Sequence, residues 1–378
     1  MFFRDIVGQQ EVIGRLIKDA QAGTVPHALL FCGPEGTGKL QTAIAFSRYL
    51  LCRDKGTGTE SCGTCPSCVK MDKLVHPDLH FVFPVVNKSK TASRSTISDD
   101  EIGTWREFVL ENRYFGFEDW MNAIDAENKQ ARIFVTESES ITSKLSLKSV
   151  EGGYKIVIIW HAEKMKAECA NSLLKLLEEP PAGTVFILVS DTPEQMLETI
   201  VSRTQKIEFK RIPTAEIEVS LTGPGYGLDS GNARKIAHFS GGSWLKAVKA
   251  LRINAESEEF LDYFMQLMRF TYARKLKELK SWSENMAAGG REWQKRFLEY
   301  CQRMIRENFI CNFHEPELNY MTEREEQFSI RFAPYVNEKN IIGLMNVISD
   351  AQRDIEQNVN SKMIFFDLSL KIIMLMKQ

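Results

Sequence analysis

Little in this sequence commits it to a membrane or to binding through bulk charge. No apolar run reaches the roughly 18 residues that a spanning helix needs. Charge nearly cancels: 48 Lys and Arg stand against 50 Asp and Glu, a formal −2. So even a balance gives no overall pull toward nucleic acid, and any DNA contact must come from a local patch or through partners. The opening "MFFRDIVGQQ" sets charge and glutamine directly behind two phenylalanines, which is not a signal-peptide pattern. With 43% hydrophobic and 26% charged residues in 378, the chain reads as soluble and globular, with two or three domains. A cytoplasmic location with no membrane partner is expected. Cysteine is sparse as well. Of eight, four lie close together, which in such a chain points to metal rather than to disulfides.

Strand patterns are confined to the first part of the chain. "HALLFC" (27–32), "LHFVFPV" (79–85), "ARIFV" (131–135), "YKIVIIW" (154–160) and "TVFILVS" (184–190) alternate with helical patterns. Continuous apolar strands between helices predict an α/β domain whose parallel sheet is covered on both faces. The polar stretch 87–98, "NKSKTASRSTIS", reads as a loop, and Ser98 with Glu101 reads as a capping box opening a helix. Beyond about Glu256 no strand pattern and no repeat occurs, only apolar residues at three- and four-residue spacing. The expected division is an α/β core over 1–210 with an insertion near 87–150. A small helical domain over 211–252 and an all-helical domain over 253–378 follow.

The most informative absence lies in "HALLFCGPEGTGKL". A buried strand runs into a glycine-rich loop carrying Gly33, Gly36, Gly38 and Lys39, and a helix follows. This is the arrangement of a P-loop, whose backbone N–H groups ring a phosphate while the lysine adds charge. The next residue should offer a hydroxyl to Mg²⁺, and here it is Leu40. A working ATPase also needs acidic residues at the end of a second strand. The candidate strand ends "IIWHAEKM", with Trp160 and His161 in those places. Two metal-handling positions lack their oxygens. The expectation is weak or absent ATP binding and no hydrolysis.

Cys52, Cys62, Cys65 and Cys68 follow the pattern C-x9-C-x2-C-x2-C. Four thiolates so spaced can close a tetrahedral site, and a closed four-sulfur site leaves no position for catalysis, so structural zinc is expected. An iron–sulfur cluster and disulfides are the other readings of these cysteines.

Taken in order, "FRDIVGQQEVIGRL", the P-loop, the cysteine module, "HPDLH", "NSLLKLLEEPPAGTVFILVS" and "TIVSRTQKIEF" resemble the bacterial clamp-loader branch of the AAA+ ATPases. The resemblance covers about Phe3 to Val85 and Tyr154 to Leu251, with a weaker echo in "NVNSKMIFFDLSLKI". It implies a AAA+ core, a helical lid and a helical collar. Without the metal-handling residues, the chain is similar to the member of that branch that does not hydrolyse ATP, an accessory subunit of the replicative polymerase. The resemblance also implies that Arg203, in Ser202-Arg203-Thr204, reaches a neighbour's ATP as an arginine finger. An ordinary intramolecular pair is the other reading of Arg203. Lys246 stands near the branch's usual second sensing arginine. The implied partners are ATP-hydrolysing clamp-loader subunits and the delta subunit, with the sliding clamp and primer–template DNA reached through the complex. Two other functions stay in view: an ATP-hydrolysing subunit of the same branch, and a free-standing zinc protein that binds nucleic acid.

Overall fold

The computed structural model describes residues 1–55, 58–87, 95–126, 129–151, 153–312, 321–357 and 359–376, with backbone alone at 253–255 and 323. Contacts divide the chain into two compact units, Met1–Leu251 and Arg252–Gln378.

The first unit is built on β1 (Ala28–Cys32), β2 (Leu79–Val82), β3 (Lys155–Trp160), β4 (Thr184–Ser190) and β5 (Gln205–Glu208). They form one sheet in the order β2-β3-β4-β1-β5, and every pairing is parallel. Parallel neighbours require crossovers, and helices supply them. The central strands are buried from end to end because each of their faces meets a different helical layer. Alternate residues divide between those layers. Leu29, Phe31, Ile156, Ile158, Val185 and Ile187 pack with α1 (Gln10–Gln21) and α2 (Lys39–Leu51). Leu30, Val157, Ile159, Phe186 and Leu188 pack with α6 (Val135–Ser146) and α7 (Ala167–Glu178). All thirteen residues of α2 are buried, so the helix leaving the glycine loop is enclosed on every side.

Two strand expectations need correction. "ARIFV" forms no strand: it makes isolated bridges, Val85 to Arg132 and Ile133 to Met165, and Val135 already begins α6. Of its apolar residues, Ile133 joins the core beneath α6, Ala131 packs with Met121 and Ala126, and Phe134 borders the core that holds α2. Conversely, β5 is a strand although only Ile207 of its four residues is buried, because it closes an edge where the other side chains meet solvent.

The stretch 87–98 falls largely on 88–94, outside the described residues. Ser98 is no capping box. Its hydroxyl accepts from the Phe83 N–H at 3.0 Å and lies 3.0 Å from Glu137 Oε2, while Asp100, not Glu101, accepts from the Ile97 N–H. A short 3-10 turn therefore precedes α4 (Ile102–Glu111), and α5 (Phe117–Ala123) follows. Both place their aromatics in the core. Trp105 stacks on Phe83 at 4.2 Å and meets Trp120 and Trp160 at 5.0 Å each.

The remaining helices of this unit are α3 (Pro66–Asp72), α8 (Glu198–Val201), α9 (Thr214–Thr222) and α10 (Ser230–Ser240). α11 (Trp244–Tyr272) begins in the first unit and continues into the second. There α12 (Leu276–Ala288), α13 (Arg291–Cys311), α14 (Glu323–Phe332), α15 (Ile341–Glu356) and α16 (Ser361–Leu375) share a separate core around Phe264, Trp282, Phe297 and Phe365. Among the described residues this unit contains no strand.

Candidate functional site

The carboxyl ends of β1, β3 and β4 meet where an open α/β sheet binds ligands, and the four predicted loop residues are brought together there. Gly33 has φ +141°, and a Cβ on it would lie 2.1 Å from the Phe209 carbonyl oxygen, so only glycine lets β1 leave the sheet here. Gly36 has φ +79° and is pressed from the other side, its virtual Cβ 2.1 Å from Ser243 Oγ. Its carbonyl accepts from the Trp244 N–H at 2.9 Å, so the start of α11 is bonded directly to the loop.

Lys39 is 4% exposed and faces inward. Its ammonium donates to Gly33 O at 2.7 Å and Pro34 O at 2.6 Å, and pairs with Asp191 Oδ1 at 2.7 Å. An ammonium has three N–H groups, and the protein itself takes all three. The space left is about 30 Å³, lined by Gly36, Gly38, Lys39, Leu40, Trp160, His161 and Asp191 among others.

The residues standing in for metal ligands are engaged elsewhere. Leu40 belongs to the core between sheet and helices. Trp160 is 5% exposed, within the aromatic cluster. His161 adopts a left-handed backbone, φ 52°, and its Nδ1 lies 2.6 Å from Glu163 Oε1. Burial pushes the Glu163 carboxyl up, but the His161 bond and charge outweigh it and hold it below its ordinary value. The other ring nitrogen is 3.8 Å from Asp191 Oδ2. Lys39, Asp191, His161 and Glu163 thus form a chain of charged and polar groups across the cradle.

The four cysteines also converge. Cys52 caps the end of α2, Cys62 and Cys65 flank a turn, and Cys68 lies in α3. All four sulfurs lie within 4.8 Å of one another. Cys62 Sγ and Cys68 Sγ are 3.9 Å apart, against about 3.8 Å for the edge of a tetrahedron with 2.3 Å metal–sulfur bonds. The Cys62 N–H donates to Cys52 Sγ and the Cys65 N–H to Cys62 Sγ, each at 3.3 Å. The Cys65 and Thr64 backbone N–H groups draw Cys62 down to about 6, whereas burial pushes Cys68 up to about 12. The donor set fits a thiophilic ion held without an open position. Glu151 fastens the module from outside, accepting from Arg53 at 3.0 Å, from Ser67 at 2.6 Å and from Lys70.

Arg203 lies apart from the cradle, just beyond α8. Its Nε donates to Glu178 Oε1 at 2.6 Å and its Nη1 to Thr199 O at 3.0 Å. About a third of its side chain is exposed, and it does make the intramolecular pair that the sequence left open. Lys246 is exposed on α11, where Trp244 and Ser243 rather than the lysine meet the glycine loop. Sequence reasoning missed Asp191 and Glu178. The signal for Asp191 was its place directly after β4, at the ligand-binding edge of the sheet; Glu178 carried none.

The sheet order with its strand–glycine loop–helix unit defines the class: a P-loop α/β protein. A family model described as "DNA polymerase III, delta subunit" matches residues 8–213, over half of the chain. The chain belongs to that family, within the branch that its motifs suggested. It is 30% identical over 213 residues to the DNA polymerase III subunit delta' of Bacillus subtilis strain 168, covering 56% of this chain and 51% of that protein. It is 31% identical over 189 residues to the delta' subunit of Escherichia coli K12, covering 50% and 44%. The matches therefore span about half the length of these relatives. A solved gamma subunit-related protein of Thermotoga maritima aligns with 96% of this chain and 97% of its own at 13% identity, TM-score 0.34. At that score the likeness adds nothing to the sheet order.

Proposed function

We propose that this chain is a non-hydrolysing subunit of the bacterial replicative clamp loader, corresponding to the delta' subunits it resembles. It closes a ring with ATP-hydrolysing subunits and the delta subunit, and through them serves the sliding clamp and primer–template DNA in the cytoplasm. Residues 1–210 act as the AAA+ core, 211–252 as the lid and 253–378 as the oligomerising collar. The observation that carries this reading is the burial of Leu40 and Trp160 in the apolar core at the two metal-handling positions, with Lys39 bonded to Gly33, Pro34 and Asp191 within the chain. Leu40 and Trp160 add no oxygen for Mg²⁺. The loop is kept because β1, α2 and α11 are built against it, and catalysis belongs to the neighbours.

Arg203 serves as the in-trans finger. A guanidinium is permanently charged and matches phosphoryl oxygens with a planar fork. Its partial exposure and its pairing with the partly exposed Glu178 leave it free to exchange one anion for another. Cys52, Cys62, Cys65 and Cys68 hold structural zinc, which ties the end of α2 to α3 and supplies no reactive chemistry. The test has two arms. Titration calorimetry with ATP·Mg²⁺ on the purified chain is expected to register no tight binding. In a ring reconstituted with hydrolysing subunits, Arg203→Ala is expected to lower clamp- and DNA-stimulated hydrolysis. Lys39-dependent turnover by the isolated chain would overturn the reading.

A further inference from the structure

Arg48 is 1% exposed, in the last turn of a fully buried helix, and the P-loop reading gives it no task. Three sides of its guanidinium are fixed. Nε donates to Ser61 Oγ at 3.0 Å, Nη1 is bonded to Asp72, and the group lies 4.0 Å over the ring of Phe2. The fourth side is open. Nη2 is buried without a hydrogen-bond partner, and it faces the cysteine turn: a Cβ on Gly63 would lie 3.9 Å from it. Against the cost of burial, Asp72 first and then the Cys68 sulfur stabilise this charge.

A buried donor left without an acceptor is costly, and more so when it is charged. A site of four thiolates around a dication is doubly negative and itself costly to bury without compensation. The two deficits are adjacent and opposite in sign. We infer that Arg48 is the charge-compensating positioning residue of the metal centre, with Nη2 donating to the Cys68 thiolate when the ion is bound. Ser61, beside the cysteines, aims the guanidinium, so forming the module also orients its counter-charge, while Asp72 competes for that charge from the solvent side. This links the centre to Phe2 and to the last turn of α2, the helix that leaves the glycine loop.

The inference rests on the reading of the four cysteines as a zinc site, which metal analysis of the unaltered chain tests separately. A chain that binds no zinc or cobalt ends both. With zinc bound, release to a chromogenic chelator is followed in the full-length protein and in Arg48→Gln, Arg48→Lys and Asp72→Asn. Loss of an outer-shell partner typically weakens metal affinity roughly 10–100-fold. Arg48→Gln is expected to fall in that range, and Arg48→Lys to recover only part. Loaded with Co²⁺, Arg48→Gln should move the sulfur-to-metal charge-transfer bands to lower energy, because a shorter, neutral amide replaces the charged donor at the thiolate. Asp72 is half exposed, so Asp72→Asn keeps the fold; it removes a competing carboxylate and is expected to slow release. Unchanged release and an unchanged cobalt spectrum in folded Arg48→Gln would overturn the inference, whatever its melting temperature. If Arg48→Gln does not fold, release from Asp72→Asn that is unchanged or faster overturns it instead.

Discussion

Lys39 and Asp191 meet across the mouth of the glycine loop, Nζ 2.7 Å from Oδ1, so that a protein carboxylate stands where a P-loop lysine otherwise meets phosphate. In the proposed non-hydrolysing role, the pair makes Lys39 a structural residue. Lys39→Ala leaves two loop carbonyls and Asp191 without their donor, and is expected to lower stability by about 1–3 kcal/mol. Urea denaturation checks the loss. An ATPase assay on the same protein should find no turnover to lose.

Leu40→Thr returns the missing hydroxyl but not the acidic strand end, because Trp160 stays locked among Trp105, Phe115 and Phe117. No Mg²⁺-dependent hydrolysis is expected. The hydroxyl would enter a buried apolar site at about 1–3 kcal/mol, so the thermal midpoint should fall. Turnover appearing in this single variant would show that the strand end is not what silences the loop.

Arg203→Ala removes an exposed pair with Glu178 that is worth about 0–1 kcal/mol at most, so fold and metal content should be unchanged. In a reconstituted ring, an in-trans arginine can be worth roughly 10³–10⁵ in rate at the site it serves. Other sites dilute that loss in the total. Arg203→Lys should rescue little, since it keeps charge but not the fork. The readout is stimulated ATPase, with assembly checked by gel filtration; unimpaired hydrolysis in an intact mutant ring would assign the finger elsewhere.

Metal removal should act locally. The purified chain is expected to carry about one zinc, and Cys65→Ser to lose most of it and to expose the module to proteolysis. The sheet, with its separate core, should keep its far-ultraviolet signal. Iron with a visible chromophore in freshly prepared protein would replace the zinc reading.

Glu151 sets a pH dependence. Bonds from Lys70 and Ser67 hold its carboxyl down to about 2 from an ordinary 4.5. A carboxyl depressed by folding contributes stability that is complete above its unfolded value and fades as pH falls through the folded one. The stability gap between the unaltered chain and Glu151→Gln should therefore be constant near neutrality and shrink between about pH 4.5 and about pH 2. Denaturation at stepped pH measures it. A gap that widened on acidification would contradict the assignment.

Some of this was legible in the sequence because it depends on near neighbours. The cysteine spacing, the glycine loop between an apolar strand and a helix, and the loss of oxygens at Leu40 and Trp160 are short-range facts, and the sulfurs and loop residues come together as expected. β3 and β4 announced themselves because a strand covered on both faces must be apolar throughout.

What the sequence could not decide were pairings across long separations. "ARIFV" has a strand's composition, yet the sheet ends at β2 and the segment makes only isolated bridges before α6 begins. "QKIE" is polar, yet an edge beside β1 makes it β5. Ser98 had the pattern of a cap, but Phe83 and Glu137 take its hydroxyl. Asp191 lies 152 positions from Lys39, and no local pattern joins them; only the pairing of β1 with β4, which brings their carboxyl ends side by side, turns that lysine inward. The sequence determined which chemistry is missing from the cradle, and the tertiary structure decided what fills it.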